Sequence, residues 1–480
     1  EWVKAGSISR CVRQWGDPVD GNPTYHYRFE WDVNGCTNHS ASIDSRGART
    51  DYQFNDQGMP TWIRGPEGGT TRTRYNDNGQ VLERLDPQGF REQFQYNSKG
   101  HLVAYTNKLG QMHQFEVNAQ GQVLKHTAPA NADGQQPVRT LAYTPEGLLA
   151  SHTDATGATT RYRYNSLGLL CETINPLGQS NRILYNVQGQ VQAQTNPLGQ
   201  SVTYQFDAWA RLASVTNPEG RTAWYAYDLM GRCTRASNHE GLTTQYSYGP
   251  LGQLESITDP TGRSTVYEYA DRLSQPTARI DPMGNRLRHR YDSERNLIEL
   301  QNENGQSCHF EYDLAERLIK ESGFDGRVQT YQYNAAGHLA EKQEWGILPG
   351  NSGQNGMGVF LDETPDQPLA YTRYQRDPLG RLLKAEHSDG EEATYAYNPQ
   401  GQLVQASNAH RNLQWEVDAE GRVLAELQDQ HRIDHQYNPA GWLKQTSWAA
   451  MGEVPGGGIG AGNMTYQYNA LGLISEINLN

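Results

Sequence analysis

Apolar residues are scarce in this chain. The set AVILMFWYC makes up 36% of 480 positions, little for a solid globule of that length. Cysteine is scarcer still, at Cys11, Cys36, Cys171, Cys233 and Cys308. The count is odd and no CxxC occurs, which excludes a disulfide framework and a zinc ribbon. Cys11 could pair with Cys36, but unpaired thiols are the expectation. No apolar run approaches the roughly 18 residues of a membrane span, and no signal peptide leads the sequence. Direct membrane insertion is therefore not expected, and export would need a dedicated machine or a missing segment. Lysine is rare, 8 against 33 arginines, and the net charge is -13. That balance excludes a nucleic-acid groove, which needs a basic track. Helical i, i+3, i+4 periodicity is absent over any long stretch, and Gly or Pro breaks the chain about every ten residues.

What the chain has is tyrosine, 28 of them, with 49 glycines, laid out in a repeat. In Thr159–Leu170, Tyr162 and Tyr164 alternate with Arg161 and Arg163, so one strand face is aromatic and the other charged. Asn165 to Gly168 reads as a turn with Gly168 at positive φ, Leu170 re-enters a second strand, and Asn175-Pro176-Leu177-Gly178 turns the chain again. Taking Tyr164 as the mark, equivalent marks recur 20 times from Trp31 to Tyr468, and 12 of the 19 intervals are 21 residues long. Such a period means repeat architecture. Two runs of about six residues per unit is strand spacing. The expectation is an all-β chain: tandem hairpins of about 21 residues joined into a long, spiralling antiparallel sheet. Stacked rings along the aromatic face would each add ~0.5–1.5 kcal/mol beyond burial. A sheet wetted on both faces reconciles few apolar residues with strict turn spacing.

Residues 1–28 fit the repeat poorly and read as an irregular capping unit, ahead of a repeat region over 29–480. Insertions fall near 127–138, 345–369 and 448–463. The first-turn glycine is missing at Ala210, Leu273, Arg295 and Glu316, so those turns are expected to differ.

The unit Tyr-x-Tyr-Asn/Asp-x-x-Gly-x-Leu, with Asn/Asp-Pro-x-Gly between copies, resembles the RHS/YD-repeat family. Tyr225, Tyr227, Asp228 and Gly231 form one copy, and Tyr395, Tyr397, Asn398 and Gly401 another. The resemblance implies a β-sheet closed into a hollow cocoon, or an open part of one. In bacterial members such a shell encloses a C-terminal toxin domain and is itself not catalytic. It also implies partners: a PAAR/VgrG-type spike or chaperone at the N-terminal side, and an immunity protein against the toxin. On this reading the chain is made in the bacterial cytoplasm and delivered by a dedicated route such as type VI secretion. No cofactor or metal is expected. A cell-surface carbohydrate-binding or adhesion role is the alternative.

Two sets of residues carry possible chemistry. Asp259-Pro260 and Asp281-Pro282, 22 positions apart, match the family's self-cleavage motif of two Asp-Pro-x-Gly turns. One carboxyl kept protonated by the other would supply acid and base. The same slot holds Asn-Pro in earlier copies, and Asn285 follows where the family has Leu, so a plain turn role is expected. Trp345 and Trp448, read as loop residues, could stack on sugar rings. His431 and His435, four apart on a strand, stand roughly 13 Å apart, too far to share a metal.

Overall fold

The computed structural model describes residues 1–480 apart from 6–7, 17, 20–21, 132–133, 271, 348–366, 430, 450–460 and 480. It is all-β, 54% strand, with one long antiparallel sheet of 41 strands that does not close on itself. The only helical piece among the described residues is a 3-10 turn at Val33–Gly35, and no helix is long and apolar enough to cross a membrane. Strand follows strand in chain order with antiparallel register, as Thr159–Tyr164 does against Leu149–Thr153 and Leu170–Ile174.

The irregular start is itself made of strands. Trp2–Ala5 pairs with Ile8–Cys11 as a separate hairpin. Arg13–Gln14 pairs with Tyr27–Trp31, which begins the long sheet. At the other end, Gly462–Tyr468 pairs with Ile474–Leu479.

The insertions fall between strands that pair directly. Val123–Thr127 pairs with Val138–Tyr143 across the first insertion. Leu339–Ile347 pairs with Ala370–Arg376 across the second, and Leu443–Trp448 with Gly462–Tyr468 across the third. The long second insertion therefore interrupts the repeat without shifting its ladder; its middle lies outside the described residues.

Close packing is thin. Among the described residues the buried apolar ones are mainly alanines, such as Ala41, Ala104, Ala278 and Ala425, and Val328 is the one large side chain below 2% exposure. Two compact units can be distinguished. One comprises Glu1–Phe94, Asn107–Leu109 and Thr244–Glu391, the other Gln95–Thr106, Gly110–Thr243 and Glu392–Asn480. None of the five cysteines is in a disulfide.

Candidate functional site: the repeat wall and its seams

Each copy is built by the same local chemistry. In strand Thr159–Tyr164 the tyrosines are half-buried and Arg161 and Arg163 exposed. The register slips by one residue between Arg163 and Tyr164, a β-bulge that bends the strand into its turn. The bulge lets the mark reach backward: the Tyr164 hydroxyl donates to the Leu149 carbonyl at 2.9 Å. The same bond, fifteen residues back, joins Tyr185 to Leu170, Tyr227 to Leu212, Tyr269 to Leu254, Tyr312 to Leu297 and Tyr333 to Leu318. Each is worth about 1 kcal/mol. Burial pushes the phenols of Tyr164, Tyr227, Tyr269, Tyr312 and Tyr333 up. Where the mark is Arg376, its guanidinium donates to the Leu339 carbonyl at 3.4 Å instead.

The Asx residue then closes the turn. Asn165 Oδ1 accepts the Leu167 and Leu169 amides, both at 3.0 Å, and Gly168 takes φ 75°. Asp228 does the same for Met230 and Arg232, and Asn398 for Gln400 and Gln402, with Gly231 and Gly401 in the left-handed region. Ala210, Arg295 and Glu316 occupy the glycine slot at φ 63°, 67° and 63°. Those three turns keep the standard form, contrary to the expectation from their missing glycine. The Asx turn with its two amide bonds outweighs the left-handed strain of a Cβ. Leu273 is the case that departs: its segment, 272–275, has no strand or regular turn.

Four residues after the Asx stands a matched partner. Asp207, Asp228, Asp313, Asp377 and Asp418 pair with Arg211, Arg232, Arg317, Arg381 and Arg422. Asn76, Asn118, Asn186 and Asn302 pair with Gln80, Gln122, Gln190 and Gln306. Arginines in this slot lie over the next marked ring, with Arg211 4.9 Å from Tyr227 and Arg317 4.7 Å from Tyr333. The aromatic face is thus held by hydroxyl bonds and guanidinium stacking more than by a ladder of stacked rings. Ring-on-ring stacks do occur at Tyr27–Phe29 and Tyr52–Phe54.

On the opposite face, charges bridge neighbouring strands. Glu172 lies between Arg163 at 2.8 Å and Arg182 at 3.0 Å, and the Arg182 hydrogen bond holds its carboxyl below the usual range. An open cleft of about 500 Å³ on this sheet is lined by Gln95, Met112, Gln114, Glu116 and Lys125 among others. On the half-buried face of the same strands His113 Nδ1 and His126 Nε2 lie 3.0 Å apart, with Phe115 stacked on His126.

Within each unit, first turns of later repeats dock on second turns of earlier ones. In the first unit, the Ser45 amide donates to the Glu294 carboxylate at 3.0 Å, as does the Tyr27 hydroxyl at 3.0 Å. Burial, then that contact, push the Tyr27 phenol up to about 12. The Leu314 amide donates to Glu67 at 2.9 Å. Asp44, Glu294 and Glu316 bring three carboxylate oxygens within 4.8 Å, but Arg46 supplies the cation there, with Asp44 at 3.1 Å and Glu316 at 3.3 Å. In the second unit, Arg139 grips Glu420 through two bonds of 2.9 and 2.8 Å, and the Ala155 amide donates to the same carboxylate at 2.7 Å. Gln400 reaches the Pro129 carbonyl.

The candidate catalytic and sugar-binding residues lie in turns and strands of the repeat. Asp259 and Asp281 each cap their own turn. Asp259 accepts from Thr261 and Arg263, and Asp281 from Met283 and Asn285. These bonds draw both carboxyls below the usual range, led by Thr261 and Asn285 respectively. Trp345 and Trp448 are not loop residues. Trp345 lies on strand Leu339–Ile347 and donates to Thr330 Oγ1 at 2.9 Å, and Trp448 ends strand Leu443–Trp448, paired with Ile433 and Gly462. Both are half-buried. His435 bonds Thr446 at 3.1 Å within the sheet. The seam residues Glu294, Arg139 and Glu420 escaped the sequence reading because nothing local marks a long-range contact. The Asp–Arg and Asn–Gln alternation was readable as a matched pair at spacing four.

This unit is the signature of known proteins. The RHS Repeat model matches residues 75–112, 143–180 and 185–222, and the Teneurin YD-shell model matches 225–349. The chain is an RHS/YD-repeat protein. Among curated proteins, this RHS/YD chain is 27% identical over 164 residues to Double-stranded DNA deaminase toxin A of Burkholderia cenocepacia (strain H111), covering 31% of this chain and 10% of that protein. Among solved structures, its fold is similar to TcdB2-TccC3 without its hypervariable C-terminal region, with TM-score 0.67 and 13% identity over 96% of this chain. It is also similar to a Photorhabdus luminescens Tc holotoxin pore with a TccC3 substitution, with TM-score 0.53 and 14% identity over 90% of this chain. The RHS/YD chain spans 27% and 30% of the lengths of those two chains.

Proposed function

We propose that this RHS/YD chain is part of a non-catalytic shell wall that encloses a toxin domain and shields it until delivery. The observation that carries this reading is a wall without an apolar core. One face is tied by tyrosine hydroxyls and guanidinium stacks, the other by charge bridges such as Arg163–Glu172–Arg182, so both can face water or a polar cargo. Likeness to toxin proteins supports it. Encapsulation protects the producing cell because substrates cannot reach a cargo behind a continuous hydrogen-bonded sheet. Carriage to target cells by type VI secretion on a PAAR/VgrG-type spike, with an immunity protein against the cargo, completes the proposal. Small-angle scattering from the purified chain is the test. A pair-distance distribution depleted at short distances, as a wall around solvent gives, is expected; the curve of a solid globule would refute the shell.

A further inference from the structure

The first-turn rim of the second unit carries a row of bare apolar side chains. Leu167 is 68% exposed, Val187 91%, Trp209 69%, Leu229 95% and Met230 80%. They sit at the two central positions of four consecutive first turns, Asn165–Gly168, Asn186–Gly189, Asp207–Ala210 and Asp228–Gly231. Successive first turns are two strands apart, so the row runs roughly 30 Å. Earlier turns on the same rim carry Ser98-Lys99 and Ala119-Gln120 in these positions. Trp209 is held in its exposed pose: Arg211 lies 4.9 Å over its ring while donating to Asp207 and to the Asp228 carbonyl. An apolar row of this length on a water-soluble surface marks an interaction site.

The fold states how this rim is covered elsewhere. In the same unit, the third position of first turns, Gln400 and Glu420, rests on second turns at Pro129 and Ala155. The first unit repeats the arrangement with Glu294 on Ser45 and Leu314 on Glu67. A first-turn rim takes a second-turn rim. The chain offers an apolar one: Leu177 and Leu198, in turns Asn175–Gly178 and Asn196–Gly199, are 41% and 49% exposed.

We propose that the row Leu167, Val187, Trp209, Leu229 and Met230 is a docking surface for a second copy of this chain, which seats its Leu177 and Leu198 turn rim upon it. The two patches differ, so the contact is heterologous and copies add head to tail. It does not depend on the shell reading, since rim contact needs no cargo.

Sedimentation velocity on the whole chain at rising concentration tests it. Association into dimers and longer species is expected, and Trp209→Ser with Leu229→Ser should weaken it about tenfold per large side chain removed. Leu177→Ser with Leu198→Ser should weaken it likewise. Turn tips this exposed leave folding intact, which the circular dichroism spectrum and Tm check. The decisive arm mixes the two variants. Each keeps one intact rim, so the mixture should form a heterodimer that neither forms alone and should stop there. A wild-type chain that stays monomeric, or association untouched by both variants, overturns the proposal. So does a monomer whose Trp209 fluorescence shifts on phosphatidylcholine vesicles, which would make the row a lipid contact.

Discussion

Where the repeat mark is tyrosine, as at Tyr164 and Tyr227, it acts through its hydroxyl as much as its ring, a division of labour invisible in composition. At the residue scale, His113 and His126 invite a test. Their ring nitrogens lie 3.0 Å apart, with Tyr105 beside His113 and Phe115 on His126. Arg139 is the cross-strand neighbour of His126 and is engaged by Glu420. Burial lowers both histidines from 6.5, and for His126 the neighbouring His113 and Arg139 add to the shift. A folded-state value below the unfolded one means the unfolded chain binds more protons in the window beneath 6.5. Stability is therefore full above that pH, falls as pH drops through the window, and levels off below the folded values. Denaturant titrations from neutral to mildly acidic pH should show this loss, and His126→Phe should flatten it by removing both a titrating group and the charge conflict.

At the scale of the element, most of the architecture was legible. Period 21 and alternating Tyr and Arg fix strand length and face, and Asx with Gly three residues on fixes the turn. What escaped was conformational tolerance. A missing glycine read as a different turn, yet Ala210, Arg295 and Glu316 keep positive φ because the Asx bonds are made regardless of the residue there. Trp345 and Trp448 read as loop residues because glycine-rich sequence follows them, whereas ladder pairing extends each strand to include them. The strain at Ala210 remains. Ala210→Gly should stabilise the chain by about 0.5–1 kcal/mol, relief of the left-handed Cβ being partly offset by glycine's unfolded-state entropy. Gly231→Ala, in the next first turn at φ 82° with open space around its would-be Cβ, should cost about 1 kcal/mol. Chemical denaturation of both variants checks the opposite signs. Equal signs would mean that the slot is not conformationally selected.

At the scale of the whole molecule, strand pairing alone gives a ribbon; what consolidates each unit is the long-range contact between turn rims. In the second unit this rests on few groups. Glu420 receives both arms of Arg139 and the Ala155 amide, while Arg139 and Glu420 side chains keep 34% and 21% exposure. Partial burial makes the pair worth more than an open surface bridge, and its bidentate geometry adds direction. The Glu420 bond holds the Arg139 guanidinium above its ordinary range, so Arg139 stays charged across the acid window in which His113 and His126 titrate. Glu420→Gln keeps one acceptor for Ala155 but loses the charge and one arm of the fork. It should cost about 1–3 kcal/mol, the range for a hydrogen bond to a charged group. Glu420→Ala should also free the Ala155 amide. Hydrogen exchange resolves the two, because the Ala155 amide belongs to a turn and owes its protection to this carboxylate. Its exchange should quicken strongly in Glu420→Ala and modestly in Glu420→Gln. Strand amides within Val138–Tyr143 and Thr159–Tyr164 should keep their protection, since their ladder bonds do not pass through the seam. Were those strands to lose protection together with Ala155, the seam and the sheet would be one cooperative element, and the rims would be part of the ladder's stability instead of a contact laid upon it.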